Sequence, residues 1–197
     1  MALRLVTAPA LEPLDLDADA KPHLRVDFND DNAHILGLIT AVRDHVEVTE
    51  LSSALLSQTW ELVLDDWPTS PLTFPKPPLQ SVTSITYTDI DGNSDTVDSS
   101  AYLVDADSWP GRLVLRNGQS WPSVTLREIG GVVIRFVAGY GDDIEDVPTP
   151  IRQAMLLILS DWYENRENSP MMAGTNEIIA LPFAARQLLA SYRKRQF

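Results

Sequence analysis

Residues 131–167 read GVVIRFVAGYGDDIEDVPTPIRQAMLLILSDWYENRE. They hold a strand, a glycine-bearing turn, an acidic loop and an amphipathic helix in direct succession. Val132–Ala138 is the last strand of a sheet. Gly139 and Gly141 flank Tyr140 at its end, where the chain needs backbone angles that other residues avoid. Thr149 is the expected N-cap of the helix that follows, and Pro150 sits at its first position, where a missing N–H costs nothing. Along Thr149–Tyr163 the residues Ile151, Met155, Ile158 and Trp162 recur on one face, joined by Ala154, Leu159 and Tyr163. This layout sets a helix beside a sheet and carries no catalytic motif. It favours a structural or docking protein over an enzyme.

On the N-terminal side of the junction the pattern is strand-rich. Gln58–Asp65 alternates, with Trp60, Leu62 and Leu64 on one side and Thr59, Glu61 and Val63 on the other. DDWPTSPLTFPKPPLQ holds five prolines in sixteen residues, which makes it an extended, rigid connector. Val82–Thr88 follows as a strand, Asp91-Gly92 marks a hairpin turn, and Thr96–Val97 begins the return. Short strands are expected at Tyr102–Val104, Arg112–Leu115 and Ser123–Leu126, separated by Trp109-Pro110-Gly111 and Asn117-Gly118.

Both ends of the chain read as helical. A short helix is expected over 15–24, capped by Asp15 or Asp17, with Pro22 limiting it. A longer one runs from about 31 to 48. Its apolar face is Ile35, Leu38, Ile39, Val42 and Val46, its cap is Asp30 or Asn29, and Arg43 and Glu47 form an i,i+4 pair. After the loop at 168–180, Pro182 opens a final helix through Leu189, and Tyr192–Phe197 forms a basic end. The fold class is therefore α+β. N- and C-terminal helices (1–55 and 145–197) form one discontinuous core, because neither set buries its apolar face alone, and residues 56–144 form a β-rich insertion between them.

Composition narrows the function. At 197 residues and 21.9 kDa, the chain buries roughly 70% of its unfolded surface, enough for one solid core or two modest lobes. It has no cysteine, which excludes a disulfide scaffold, a thiolate nucleophile and Cys-ligated metal. The N-terminus lacks a basic region followed by an apolar run, and no 18-residue apolar stretch is present, so neither a secretory signal nor a membrane span is expected. With 28 acidic and 15 basic residues the net charge is −13. The excess lies in the first half: residues 1–100 hold 17 acidic and 5 basic residues, and 101–197 hold 11 and 10. Such a body disfavours ordinary nucleic-acid binding, which needs several basic contacts to phosphate, although an acidic lining lets DNA pass without sticking.

No constellation of reactive side chains stands out. His34 and His45, on one helix, lie about 16 Å apart, too far to share an ion. His23 is isolated. Asp30-Asp31 and the Asp142–Asp146 run lack the spacing and terminal Glu of a calcium loop and read as solvated. Gly139-Tyr140-Gly141 is neither a dinucleotide fingerprint nor a Walker loop, and no serine lies in an elbow motif. No catalytic residue, cofactor or metal is expected. Trp60 and Trp162 read as core from their periodicity. Trp67, Trp109 and Trp121 stand at or beside prolines in turns, which makes them candidates for a subunit interface.

Several stretches, in order, carry a resemblance: LVTAPALEPLDLDADAKPHLRVD, LLSQTW, FPKPPLQSVTSITYTDIDG, RFVAGYG, VPTPIRQAMLLILSDWYENRE and LPFAARQLLASYR. Together they resemble the long form of the bacteriophage head–tail connector (adaptor) family, which also occurs in gene-transfer-agent particles. The resemblance covers nearly the whole chain, and its specificity lies in the combination. One departure is Leu51-Ser52-Ser53-Ala54, where a Thr-Gly-Arg-like turn is the family pattern. The resemblance implies a helical core with a β-rich insertion. It implies a structural, non-enzymatic ring of twelve copies in the virion neck, made in the host bacterial cytoplasm. That ring would sit under the portal protein, extend the DNA channel, and offer a surface to a stopper or tail-terminator protein. DNA would pass without sequence-specific binding, and no membrane is involved. By the same analogy the C-terminal segment docks on the portal through Arg186, Tyr192, Arg193, Lys194, Arg195 and Phe197. Two other readings compete: a different virion neck or packaging accessory protein, and a small hydrolase built on acidic residues.

Overall fold

The computed structural model describes residues 1–68, 71–165 and 181–193. They divide into two compact units, 1–10 with 56–142, and 11–55 with 143–197. The chain is α+β, with helices toward both ends and the strands concentrated between them.

The sheet unit contains eight strands: β1 (Ala2–Thr7), β2 (Gln58–Leu64), β3 (Leu72–Thr73), β4 (Leu79–Thr88), β5 (Ser94–Thr96), β6 (Tyr102–Asp105), β7 (Arg112–Leu115) and β8 (Val132–Ala138). Five form an antiparallel sheet in the order β1-β2-β8-β4-β5, and three form a second sheet in the order β3-β7-β6. Strand β8 lies at the centre of the larger sheet, and its residues alternate as a strand with one buried face must. Val132, Ile134, Phe136 and Ala138 are buried, whereas Arg135 is exposed. Register aligns Leu62, Ile134 and Ile85 across β2, β8 and β4, and all three are fully buried. Phe74, just after β3, packs on Phe136 at a ring separation of 5.0 Å and joins the small sheet to the large one.

Three features of this unit differ from the sequence reading. Residues 2–7 form an edge strand where none was expected, because they find their partner in β2, far along the chain. The proline-rich connector contributes β3, which shows that extended backbone between prolines can still pair. No strand forms over 123–126. Pro122 has no N–H and the Val124 N–H turns back to the Pro122 carbonyl, so only an isolated bridge between Asp89 and Leu126 remains.

The junction turn is tight. Gly139 adopts φ +133, and a Cβ placed there would lie 2.3 Å from the Leu56 carbonyl oxygen. Gly141 takes no positive φ; its carbonyl accepts the Ser57 N–H at 2.9 Å. Gln80 Nε2 donates to the Gly139 carbonyl at 2.9 Å and to Ser57 Oγ at 2.7 Å, closing the same corner from β4.

The helical unit is built on α1 (Lys21–Leu24), α2 (Asn32–His45), α3 (Thr149–Glu164) and α4 (Phe183–Ala190). Wider helical turns at Leu16–Ala20 and Val46–Glu50 adjoin α1 and α2. Its core collects Ile35, Ile39 and Val42 of α2, Ile151, Ala154, Met155, Ile158 and Leu159 of α3, and Ala185 and Leu189 of α4. The periodicity of α3 is thus realised as packing. Asp15 caps the first turn, accepting the Asp17 and Ala18 N–H groups at 2.8 and 2.7 Å.

Other caps are not as the sequence suggested. The α3 N-cap is Pro148, whose carbonyl takes the Ile151 and Arg152 N–H groups, so Thr149 is already helical. The α2 N-cap is Asp31, whose side chain makes no capping bond to the helix, while Asn29 Oδ1 is occupied by Lys21 Nζ at 2.8 Å. Arg43 lies 3.3 Å from Glu12, and Glu47 is buried with Oε1 accepting the Leu55 N–H at 2.8 Å. That bond braces the turn at 51–55.

Candidate functional site

Among the described residues no group of three or more His, Cys, Asp or Glu side chains converges as a metal site would, and no helix is long and apolar enough to cross a membrane. The histidines take part in packing. His34 lies against Tyr163 and His45 edge-on to Trp162, with ring separations of 6.0 and 5.6 Å. The acidic loop after the sheet caps itself: Asp143 and Asp146 form a reciprocal box around the turn Ile144–Asp146. Asp31 accepts the Tyr163 hydroxyl, which ties α3 to the start of α2.

The C-terminal docking candidates fall at the end of the helical unit. Arg186 is exposed on α4, and Tyr192 is half-buried just beyond it. Arg193 donates to Glu50 Oε2, and Glu50 Oε1 stands 3.7 Å from His45 Nε2. The end of α4 is therefore anchored to the turn after α2 by a charged contact that the sequence did not reveal. Lys194, Arg195 and Phe197 lie outside the described residues.

The tryptophan candidates lie in the sheet unit. Trp67 and Trp121 stack face to face at 5.2 Å with an interplanar angle of 5°, and Tyr87 packs on Trp67. Trp121 Nε1 donates to the Pro68 carbonyl at 3.1 Å. Trp109 remains 45% exposed beside Tyr140. Trp60 and Trp162, read as core, are only half-buried. Lys76 lies over the Trp60 ring, and His45 covers one side of Trp162.

On the other face of the large sheet, Glu61 sits between two arginines. Register places it beside Arg4 on β1 and Arg135 on β8. Each guanidinium Nε donates to a separate carboxylate oxygen at 3.0 Å. Although only 4% exposed, this carboxylate stays below its ordinary pKa of 4.5. The Arg4 hydrogen bond lowers it most, burial opposes, and the Arg135 bond lowers it further. A depressed folded pKa means the contribution is complete above about pH 4.5 and disappears as pH falls through the folded value. Both arginines are substantially exposed, so the triad contributes about 1–2 kcal/mol at neutral pH. Glu61→Gln should therefore lower the urea midpoint at pH 7, with a smaller difference from the parent near pH 3. A gap of equal size at both pH values would contradict this role.

No protein-family model matches the sequence, and no curated protein matches it. Solved structures do. A chain in the virion of a native gene transfer agent particle is similar with a TM-score of 0.80 and 24% identity, covering 100% of this chain and 97% of that one. A chain in the neck of an empty gene transfer agent particle, computed with C6 symmetry, gives 0.79 and 24% over the same shares. A chain in the neck of a native particle, computed with C12 symmetry, gives 0.71 and 23% over the same shares. At these identities the likeness is one of fold, and it runs the length of both chains.

Proposed function

We propose that the protein is a structural head–tail connector in the neck of a phage-like particle, forming a ring under the portal that extends the DNA channel. The observation that carries this reading is the likeness in fold to gene transfer agent particle chains, spanning 100% of this chain and 97% of its counterparts. The sequence resemblance to connector proteins supports it independently. Twelve copies form the ring, the portal binds one side, and a stopper or tail-terminator protein binds the other. The reading involves no covalent chemistry and no cofactor.

The charge suits such a passage. A net charge of −13 lets the subunits surround DNA while repelling its backbone weakly, so that the genome slides without being held. The basic C-terminus suits the opposite task of docking on an acidic partner. Arg186, Tyr192, Arg193, Lys194, Arg195 and Phe197 form that docking segment, and Trp109 lies at the contact between copies together with the Trp67–Trp121 stack.

Truncation tests the docking assignment. Removing residues 192–197 breaks the Arg193–Glu50 contact, a part-buried pair contributing about 1 kcal/mol, and uncovers what the half-buried Tyr192 packs on, a loss that the core of α2, α3 and α4 should survive. Association with the portal should weaken about tenfold or more, equivalent to roughly 1.4 kcal/mol. Unchanged association in sedimentation or mass measurements would reject the segment as the portal anchor.

A further inference from the structure

Two strand edges of the sheet unit carry large apolar side chains and lack a neighbour among the described residues. Strand β1 bonds to β2 alone, and β6 bonds to β7 alone. Open edges are usually blunted by prolines, lysines, covering loops or extreme shortness, because they template pairing with another chain. The remaining edges fit that rule. β5 is the three polar residues Ser94–Thr96, and β3 has only two residues.

Strand β1 does not fit it. All six residues are exposed, and Leu3, Leu5 and Val6 are large and aliphatic. Its one charge, Arg4, points across the sheet face to Glu61 and so does not guard the edge. Its ladder with β2 runs unbroken from Ala2 to Leu5 before the register shifts. Strand β6 spans the same four-residue length, Tyr102–Asp105, with Leu103 and Val104 exposed. Beside it runs a groove of about 570 Å³ lined by Leu103, Val104, Asp105, Asp107, Arg112 and Val114.

We propose that β1 of one copy pairs with β6 of the next, so that strand pairing continues from copy to copy. The inference rests on the ring reading above. Joining two different edges of one chain is a head-to-tail contact, the class that closes into rings; an edge pairing with itself would stop at a dimer. Length matches, and each side brings aliphatic side chains that pairing would cover. Backbone hydrogen bonds supply the affinity and the aliphatic side chains the register.

The absence of cysteine makes the test clean. Leu3→Cys and Val104→Cys are placed singly in full-length protein, mixed, and treated with a short bismaleimide while mass measurement, with and without portal protein, counts the assembly. The expected result is a crosslinked dimer in the mixture that neither variant gives alone, and a ladder from the double variant. Rings that form without this crosslink would overturn the edge pairing and leave the connector reading standing. Leu3→Cys copies joining to one another, or to the portal, would likewise overturn it by naming a different neighbour. Failure to form rings under either condition would remove the connector reading, and the pairing with it. Val104→Glu adds a second check: it buries a charge at the contact and should abolish assembly while leaving monomer folding intact.

Discussion

Replacing Gly139 by alanine should destabilise the sheet unit by about 3–5 kcal/mol, combining left-handed backbone strain with a forced clash. The glycine adopts φ +133, and an added Cβ would meet the Leu56 carbonyl oxygen at 2.3 Å and its carbon at 2.4 Å. Backbone atoms cannot swing aside as a side-chain tip can. Relief would require separating the end of β8 from the strand entry at Ser57, where the Gly141 carbonyl accepts the Ser57 N–H. Gly118 supplies the control. It also has a positive φ, of +80, but nothing lies within 4 Å of its added Cβ, so alanine there should cost only about 1 kcal/mol. Urea unfolding followed by tryptophan fluorescence distinguishes the two. Equal losses at both positions would show that conformation alone, without the clash, governs the junction.

The second large effect lies in the core of the same unit. Phe136 is fully buried, pairs in register with Trp60 and Val82, and meets Phe74 ring to ring at 5.0 Å. Truncation to alanine removes this ring contact between the two sheets and leaves a cavity walled by rigid strands, costing about 3–5 kcal/mol. Against a total stability of roughly 5–15 kcal/mol, either substitution removes a large fraction. Phe136→Leu, which refills most of the volume, should recover more than half of the loss. A leucine variant no better than alanine would mean that ring geometry, not volume, holds the sheets together.

Local pattern carried much of this architecture. The alternation of Val132–Ala138 identifies β8 with the bounds observed, and the helical spacing from Ile151 to Leu159 identifies the buried face of α3. Those signals are strong because each element's own period decides which side is buried. What stayed hidden was non-local. Glu61 reads as an outward polar residue within β2; only pairing with residues 57 and 74 positions away makes it a buried acceptor of two arginines. Strand β1 was missed for the same reason, since its pairing partner lies well beyond any local window. Glu47 is a third case: i,i+4 spacing pointed to Arg43, and no local pattern indicated that its carboxylate accepts the buried Leu55 N–H. Among the docking candidates, charge and position singled out Arg186 and Arg193, but nothing local indicated that Arg193 reaches Glu50.

The titration behaviour of the chain fits the proposed structural role. Its perturbed groups are held by structural contacts: Asp65, Asp89, Asp98 and Asp105 are all shifted downward, chiefly by hydrogen bonds from nearby backbone or side chains.

The claim on which the account depends is that many copies of this polypeptide close around an opening. Native mass measurement of the protein mixed with the proposed portal partner, paired with imaging of the same complex down its axis, tests it directly. The account predicts twelve copies per portal arranged about a central lumen wide enough for duplex DNA. A complex holding one or two copies, or a closed assembly with no axial opening, would contradict it.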